Sequence, residues 1–314
     1  MVDRGQNNCT TTPHWLDGKL PIVITNCTHR KRLQPTSETR LSSIESSSVE
    51  VWASRVKATP TRLPVREMYC GRGFREALRA ADSLTVDLWV ASAGLGFVRA
   101  DADIPPYGAT AAPGQPDSIA GNTAAWFAAL LDKGPFPGAP RLTSAPIVLA
   151  ALSSPYLTML TPWLEAIEEE APGRLRIFTW AKASPCSNAL SHVVMPYDRR
   201  LDDAALARAG TIGDFAQRAL RDFVETVLPA DPKGSAQSHA AAVLRRLDGY
   251  TAPVRRLGRG VTDDEVQALI REHWHAAGGR SGRMLRVLRD ELGIACEQSR
   301  FKNLFIEVAT EADL

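Results

Sequence analysis

Ala91-Ser92-Ala93-Gly94-Leu95-Gly96-Phe97-Val98 is the stretch that decides the fold class. The apolar run from Val86 to Ala91 leads into it and reads as a buried strand. Gly94 and Gly96 end that strand in a turn, because glycine tolerates positive φ and close backbone approach. A polar loop follows, with Asp101, Asp103 and Ile104-Pro105-Pro106-Tyr107. An α/β sheet gathers its chemistry at the carboxyl ends of its strands, so the pattern puts two acids and a tyrosine at a site. A tight connection with a solvated loop is the plainer alternative.

Working outward, Pro21-Ile22-Val23-Ile24-Thr25 is a second β-branched strand. It delivers Asn26-Cys27-Thr28-His29-Arg30-Lys31-Arg32 into one loop. An amide, a thiol, a hydroxyl, an imidazole and three cations exceed what a stabilising turn needs, although an ordinary basic turn is the competing reading. Met68-Tyr69-Cys70-Gly71-Arg72-Gly73-Phe74-Arg75 leads into a helix over 74–81, whose N-terminus suits an anion. Strands are also expected over 146–152 and 175–180. Helices are expected over 49–56, 123–131, 157–170 and 215–228, with Ala124, Phe127, Ala128 and Leu131 inward on the second. The Ser/Thr-rich segment 34–48 reads as a flexible loop, 104–118 as irregular, and 181–191 as a polar loop with Lys182, Ser184 and Asn188, and His192 just beyond it. Strands alternating with helices predict an α/β domain over 20–230, with a mostly parallel central sheet flanked by helices. Residues 1–19 are expected to be loosely ordered.

The character changes beyond Thr211. A linker region with a short helix is expected over 231–260, including the basic run Arg255, Arg256 and Arg259. Thr262-Asp263-Asp264-Glu265 is a capping box opening a helix to about His275. Further helices are expected over 281–292, ended by Gly293, and over 296–308. Three short helices in 261–314 predict an all-α, helix-turn-helix-like module. Arg280, Arg283, Arg300, Lys302 and Asn303 are its candidate DNA contacts, because Arg, Lys and Asn reach phosphates and base edges. A small helical bundle without a ligand fits the same pattern.

The 314 residues leave room for one large and one small domain, and a net charge of +2 makes the whole chain no polycation. No apolar window reaches the roughly 20 residues that span a bilayer, and no secretory signal is read, so no membrane partner is expected. Five scattered cysteines without a C-x-x-C pair argue against structural zinc or a disulfide framework and suit a reducing cytoplasm. No cofactor or metal is called for by any ligand spacing.

The segments Cys27-Thr28-His29-Arg30-Lys31, Tyr69-Cys70-Gly71-Arg72-Gly73-Phe74 and Ala91 to Tyr107 together resemble a known group over roughly 20–200. They are similar to the glycosylase-like domain attached to archaeosine tRNA-guanine transglycosylases, which looks like the uracil-DNA glycosylase superfamily. The resemblance implies that fold and base excision from double-stranded DNA, with phage-type modified bases such as glucosylated hydroxymethylcytosine as substrates in antiviral defence. The superfamily's Gly-Gln-Asp-Pro-Tyr-His motif is absent, and Ser184-Pro185-Cys186-Ser187 with His192 matches its late loop only loosely. N-glycosidic cleavage needs a carboxylate beside an oxocarbenium-like sugar and donors for the departing base. Asp103, then Asp101, are the candidate carboxylates, and Asn26 is the base-reading amide. Tyr107 or Phe97 would stack on a flipped base. Cys27, Thr28, Arg30, Lys31, Tyr69, Arg72, Gly73, Ser92, Gly94 and Ser153 complete the expected substrate contacts. The competing functions are a DNA-binding regulator with a nucleotide-sensing domain, and an N-ribosyl hydrolase or transferase acting on free nucleotides or tRNA.

Overall fold

The computed structural model describes residues 19–43, 48–180, 187–253 and 258–311. The chain forms two compact units, Met1–Ala252 and Pro253–Leu314. The first is built on five strands: β1 (Ile22–Asn26), β2 (Leu88–Ser92), β3 (Gly96–Arg99), β4 (Val148–Ala151) and β5 (Leu175–Phe178). They lie in the order β3-β2-β1-β4-β5. Four are parallel, with Thr25 of β1 opposite Val90 on one side and Ala151 on the other. These strands read as continuous apolar runs because helices cover both faces; Val23, Ile24, Val90 and all of β4 and β5 are buried.

The expectation for the deciding stretch is corrected at one point. Gly96 takes φ +79°, and the chain reverses there into β3, which runs antiparallel to β2. Ser92 faces Gly96 and Trp89 faces Arg99. The residues after the glycines therefore travel back to the amino-terminal edge of the sheet.

Among the described residues the longer helices of this unit are α1 (Val49–Ala58), α2 (Arg72–Leu84), α3 (Thr123–Lys133), α4 (Ser154–Glu170), α5 (Phe215–Asp222) and α6 (Ala236–Leu247), and a single helical turn, Val65–Met68, precedes α2. Phe223–Val227 continues α5 as a π-helical turn. Helix α3 buries Trp126, Phe127 and Leu130, and not Ala128, because Trp126 turns inward to donate its indole N–H to the carbonyl of Ala93. The described part of 34–48 is held in place: Arg40 bridges to Gly108 and pairs with Asp117. Helix α6 sends Val243 and Leu247 into the first unit's core, so the short helix expected in a linker belongs to that unit.

The second unit has α7 (Asp263–Glu272), α8 (Ser281–Arg286, continued by a π-helical turn Val287–Glu291) and α9 (Gln298–Glu311). The capping box forms: Glu265 N–H donates to Thr262 Oγ1, and Thr262 N–H donates to Glu265 Oε2 at 3.0 Å. Val266, Ile270, Met284, Leu288, Phe301, Leu304 and Val308 make a separate core. A short parallel pairing of Arg259–Gly260 with Ile294–Ala295 ties the segment before α7 to the one before α9, so the module is not all-α as expected, a feature the sequence pattern does not announce.

Candidate functional site

The carboxyl edge of the sheet collects most of the expected residues. The chain leaves β1 toward β2 on one side, and β4 lies on the other, so the β1/β4 gap is the point at which strand order reverses. Ligands of open α/β sheets bind in such crevices. Asn26 ends β1 there. Its Oδ1 accepts from the Ser153 N–H at 2.9 Å and from Gln217 Nε2 at 3.2 Å, while its Nδ2 donates to the Cys27 carbonyl at 2.9 Å. Gln217, buried on α5, also donates to Thr25 Oγ1 at 3.1 Å. The amide expected to read a base thus ties β1, the start of α4 and α5 together, with both acceptor positions on its oxygen filled. Ser153 takes part through its backbone. Gly73 lies beside Gln217, whose Oε1 would sit 3.0 Å from a Cβ there.

Beneath this edge is a buried polar cluster. Tyr69 and Tyr107 share a hydrogen bond of 2.5 Å between their hydroxyls, and Ser92 Oγ lies 2.7 Å from the Tyr107 hydroxyl. Ser92 also accepts from the N–H groups of Gly94 and Leu95, at 3.2 and 3.1 Å. Cys27 Sγ lies 3.0 Å from the Tyr156 hydroxyl. Burial pushes Tyr69, Tyr107 and Tyr156 well above the ordinary tyrosine range, so all three stay protonated. Gly94 is glycine because a Cβ would stand 2.7 Å from the Tyr107 ring, not because a ligand approaches it. Tyr107 has no exposed surface and Phe97 packs against Phe127 and Trp163. Both are core residues, which corrects their assignment as stacking platforms.

Lys31 is buried above this cluster. Its Nζ donates to the Thr28 carbonyl at 3.1 Å and lies 4.2 Å from the centre of the Tyr107 ring. Desolvation lowers its pKa from the usual lysine value, with the nearby Arg40 adding to the shift against the opposing pull of Cys27 and Asp117. His29 is exposed, but its Nε2 lies 3.1 Å from Thr110 Oγ1. Desolvation of the imidazole, and then Lys31, lower its pKa below 6.5. The charge of Asp117 acts on both groups. Asp117 is fixed by Arg40 at 2.9 Å and by Ser42 Oγ at 2.8 Å. Neither Asp117 nor Gln217 carries a local sequence signal; each reaches the site from a distant part of the chain.

The two acids expected to be catalytic are not brought here. Arg99 stands opposite Trp89 near the start of β2, and it holds exposed Asp101 at 2.9 Å, keeping that carboxyl below its usual range. Asp103 is exposed, and its backbone pairs with Pro64. The antiparallel run of β3 has carried both toward the opposite edge. Residues 181–186 of the late polar loop, with Lys182 and Ser184, lie outside the described residues. Asn188 is exposed, and His192 pairs with Glu168 at 3.0 Å.

Arg30 and Arg72 line a cavity next to the Thr28 loop, the rest of which comes from α2 and the α5 region. In the second unit Arg280, Arg283, Lys302 and Asn303 are exposed. Arg300 is instead occupied at home, donating to Asp263 at 2.6 Å and to the Val261 carbonyl at 2.8 Å. Among the described residues no group of three His, Cys, Asp or Glu side chains could hold a metal ion, and no helix is long and apolar enough to cross a membrane. No protein-family model matches the chain, and neither a curated protein nor a solved structure matches it significantly.

Proposed function

We propose that the chain is a DNA glycosylase, hydrolysing an N-glycosidic bond at the carboxyl edge of its sheet. One observation carries the reading. The loop that follows β1 places an imidazole poised to be neutral, His29, and a desolvated ammonium, Lys31, beside the strand-order reversal. His29 is the base that orients and deprotonates water, steadied by the negative charge of Asp117. Lys31 supplies positive charge for the departing base, where low polarity makes a fixed charge worth more than in water. Asp117 takes over from Asp101 and Asp103 the task of balancing a cationic sugar.

The second unit is proposed as a helix-turn-helix-like module that adds affinity for double-stranded DNA. Arg280, Arg283 and Lys302 supply its phosphate contacts, and Arg300 serves its internal packing.

The test is incubation of the full chain with plain, uracil-containing and glucosylated hydroxymethylcytosine DNA, followed by alkaline cleavage at abasic sites. Strand breaks on one of these substrates, lost in His29→Ala, support the reading. Tight DNA binding with no breaks on any substrate overturns it and leaves a regulator that senses nucleotides. The placement of Asp101 and Asp103 at the far edge favours that second reading, since a sensor needs no acid beside its ligand.

A further inference from the structure

A cavity of about 560 Å³ lies where the Arg30 loop, the first turns of α2 and the α5 region meet. Seven of its ten lining residues are arginines: Arg30, Arg72, Arg75, Arg79, Arg208, Arg218 and Arg221. Like charges held this close repel, and the protein offsets only part of the repulsion. Arg218 is 1% exposed and is held at 2.7 Å by both Asp202 and Asp214. Arg208 pairs with Glu225 and lies 3.8 Å from Asp222. Arg221 joins Glu225 at 2.6 Å to Glu76 at 3.0 Å. These three make a neutralised floor.

The rim is different. Arg72 lies 3.4 Å from Asp214 and Arg79 lies 3.2 Å from Glu76, each sharing a carboxylate already used by the floor. Arg30 and Arg75 point two further guanidinium groups at the same space. Among the described residues neither has a hydrogen-bond or ion-pair partner for its side chain. The cavity therefore carries an uncompensated positive surplus on rigid supports. Among the described residues its only lining side chains without charge are those of Cys70 and Ala207, so no aromatic ring is there to stack on a base or a sugar face.

We infer that this cavity is a site for phosphate oxyanions, with a nucleic-acid backbone as the source of the phosphate. Guanidinium groups bind phosphate oxygens in a fork, and a cluster of them selects phosphate over a single carboxylate. The naming of the source rests on the proposed glycosylase function; the site itself does not. The cavity borders the reacting loop directly: the Cys70 N–H donates to the Arg30 carbonyl at 2.8 Å, and Gly71 packs against the Thr28 side chain. A phosphate held here would anchor the strand whose base meets His29 and Lys31.

The experiment uses the full chain, a short labelled oligothymidylate and a salt series, with the double variant Arg30→Gln, Arg75→Gln. Neither side chain has a partner to lose, so the variant is expected to keep its melting temperature. Its affinity should fall on the order of tenfold or more, since each hydrogen bond to a charged group is worth about that factor. The slope of log affinity against log salt should drop by about 1.4, at roughly 0.7 for each lost single-strand contact. Inorganic tripolyphosphate serves as the second arm. Binding of tripolyphosphate that the double variant loses, with strand binding unchanged, keeps the phosphate site and makes a free polyphosphate its source. Identical strand affinity, salt slope and tripolyphosphate binding in both proteins overturn the site. Base release measured on the same samples separates the two ideas: an unchanged slope with base release removes the cavity alone, and a lost slope without base release removes the hydrolase alone.

Discussion

The two edges of the sheet differ in how they treat charge. At the carboxyl edge, polar groups are buried and satisfied by one another: Tyr69, Tyr107 and Ser92 in one chain of hydroxyls, Cys27 with Tyr156, Lys31 over an aromatic ring. At the amino edge, charges are exposed and paired locally, as Arg99 is with Asp87 and Asp101. Exposed pairs contribute about 0–1 kcal/mol and can be changed freely. Buried polar groups are costly unless kept for a purpose or fully matched. A desolvated lysine and a buried thiol next to a strand-order reversal are therefore a stronger functional sign than two acids in a solvated loop.

The sharpest way to break this comparison is Lys31→Met. The folded protein holds Lys31 with a lowered pKa, so the unfolded chain binds more protons between the two values and stability rises with pH through that window. Removing the charge lifts this cost, so the melting temperature at neutral pH is expected to hold or rise. Base release at saturating DNA is expected to fall by about a hundred- to a thousandfold, as for loss of a preorganised electrostatic partner. A melting temperature that collapses with full specific activity would make Lys31 structural and leave the carboxyl edge without its central charge.

Asn26→Ala probes the same edge through stability. Its oxygen satisfies two donors, the Ser153 N–H and Gln217 Nε2; the variant strips the Ser153 N–H of its partner, while Gln217 Nε2 keeps Thr25 Oγ1 and the Ala151 carbonyl. Leaving such a donor unsatisfied costs about 1–3 kcal/mol when buried, so denaturant unfolding should show a loss of about 1–2 kcal/mol. Unchanged stability with altered base preference would return Asn26 to the role of reading a base.

The pH dependence of base release is the next, smaller effect. His29 must be neutral to take a proton from water, and its pKa is lowered by desolvation and by Lys31. The acid limb of kcat/KM is therefore expected below pH 6.5 and should disappear from the residual rate of His29→Gln. A limb above pH 6.5 would show a different group titrating.

Much of this was legible in the chain. Apolar runs located all four parallel strands, because a sheet covered on both faces needs uninterrupted Val, Ile, Leu and Ala. The density of polar groups in 26–32 located the loop that now carries the proposed chemistry. What stayed hidden was direction and distance. Leu88–Arg99 looks the same whether the chain beyond Gly96 runs on as a loop or folds back as β3, and only the positive φ at Gly96 decides. Gln217 reaches Asn26 across 191 positions, and the floor arginines come from α5 (Arg218, Arg221) and the loop before it (Arg208), with no local mark of their purpose. Arg300 reads as an outward contact by helical spacing alone, yet Asp263, on another helix, claims it.

The smallest effect is expected at the amino edge, and it is the most informative of all. Asp103→Asn removes a charge that is exposed, whose side chain has no partner among the described residues, and whose strand pairing uses the backbone alone. Surface changes of this kind stay within about 0.5 kcal/mol, and base release should remain within about twofold of the parent. Asp101→Asn, which gives up an exposed pair with Arg99, should behave alike. Strand direction alone makes this forecast, because the four residues of β3 separate Asp103 from Ser92 and Asn26. A hundredfold loss in Asp103→Asn would mean that substrate contacts the amino edge instead. The carboxyl-edge cluster would then be packing, and the crevice at the strand-order reversal would not be where this sheet does its chemistry.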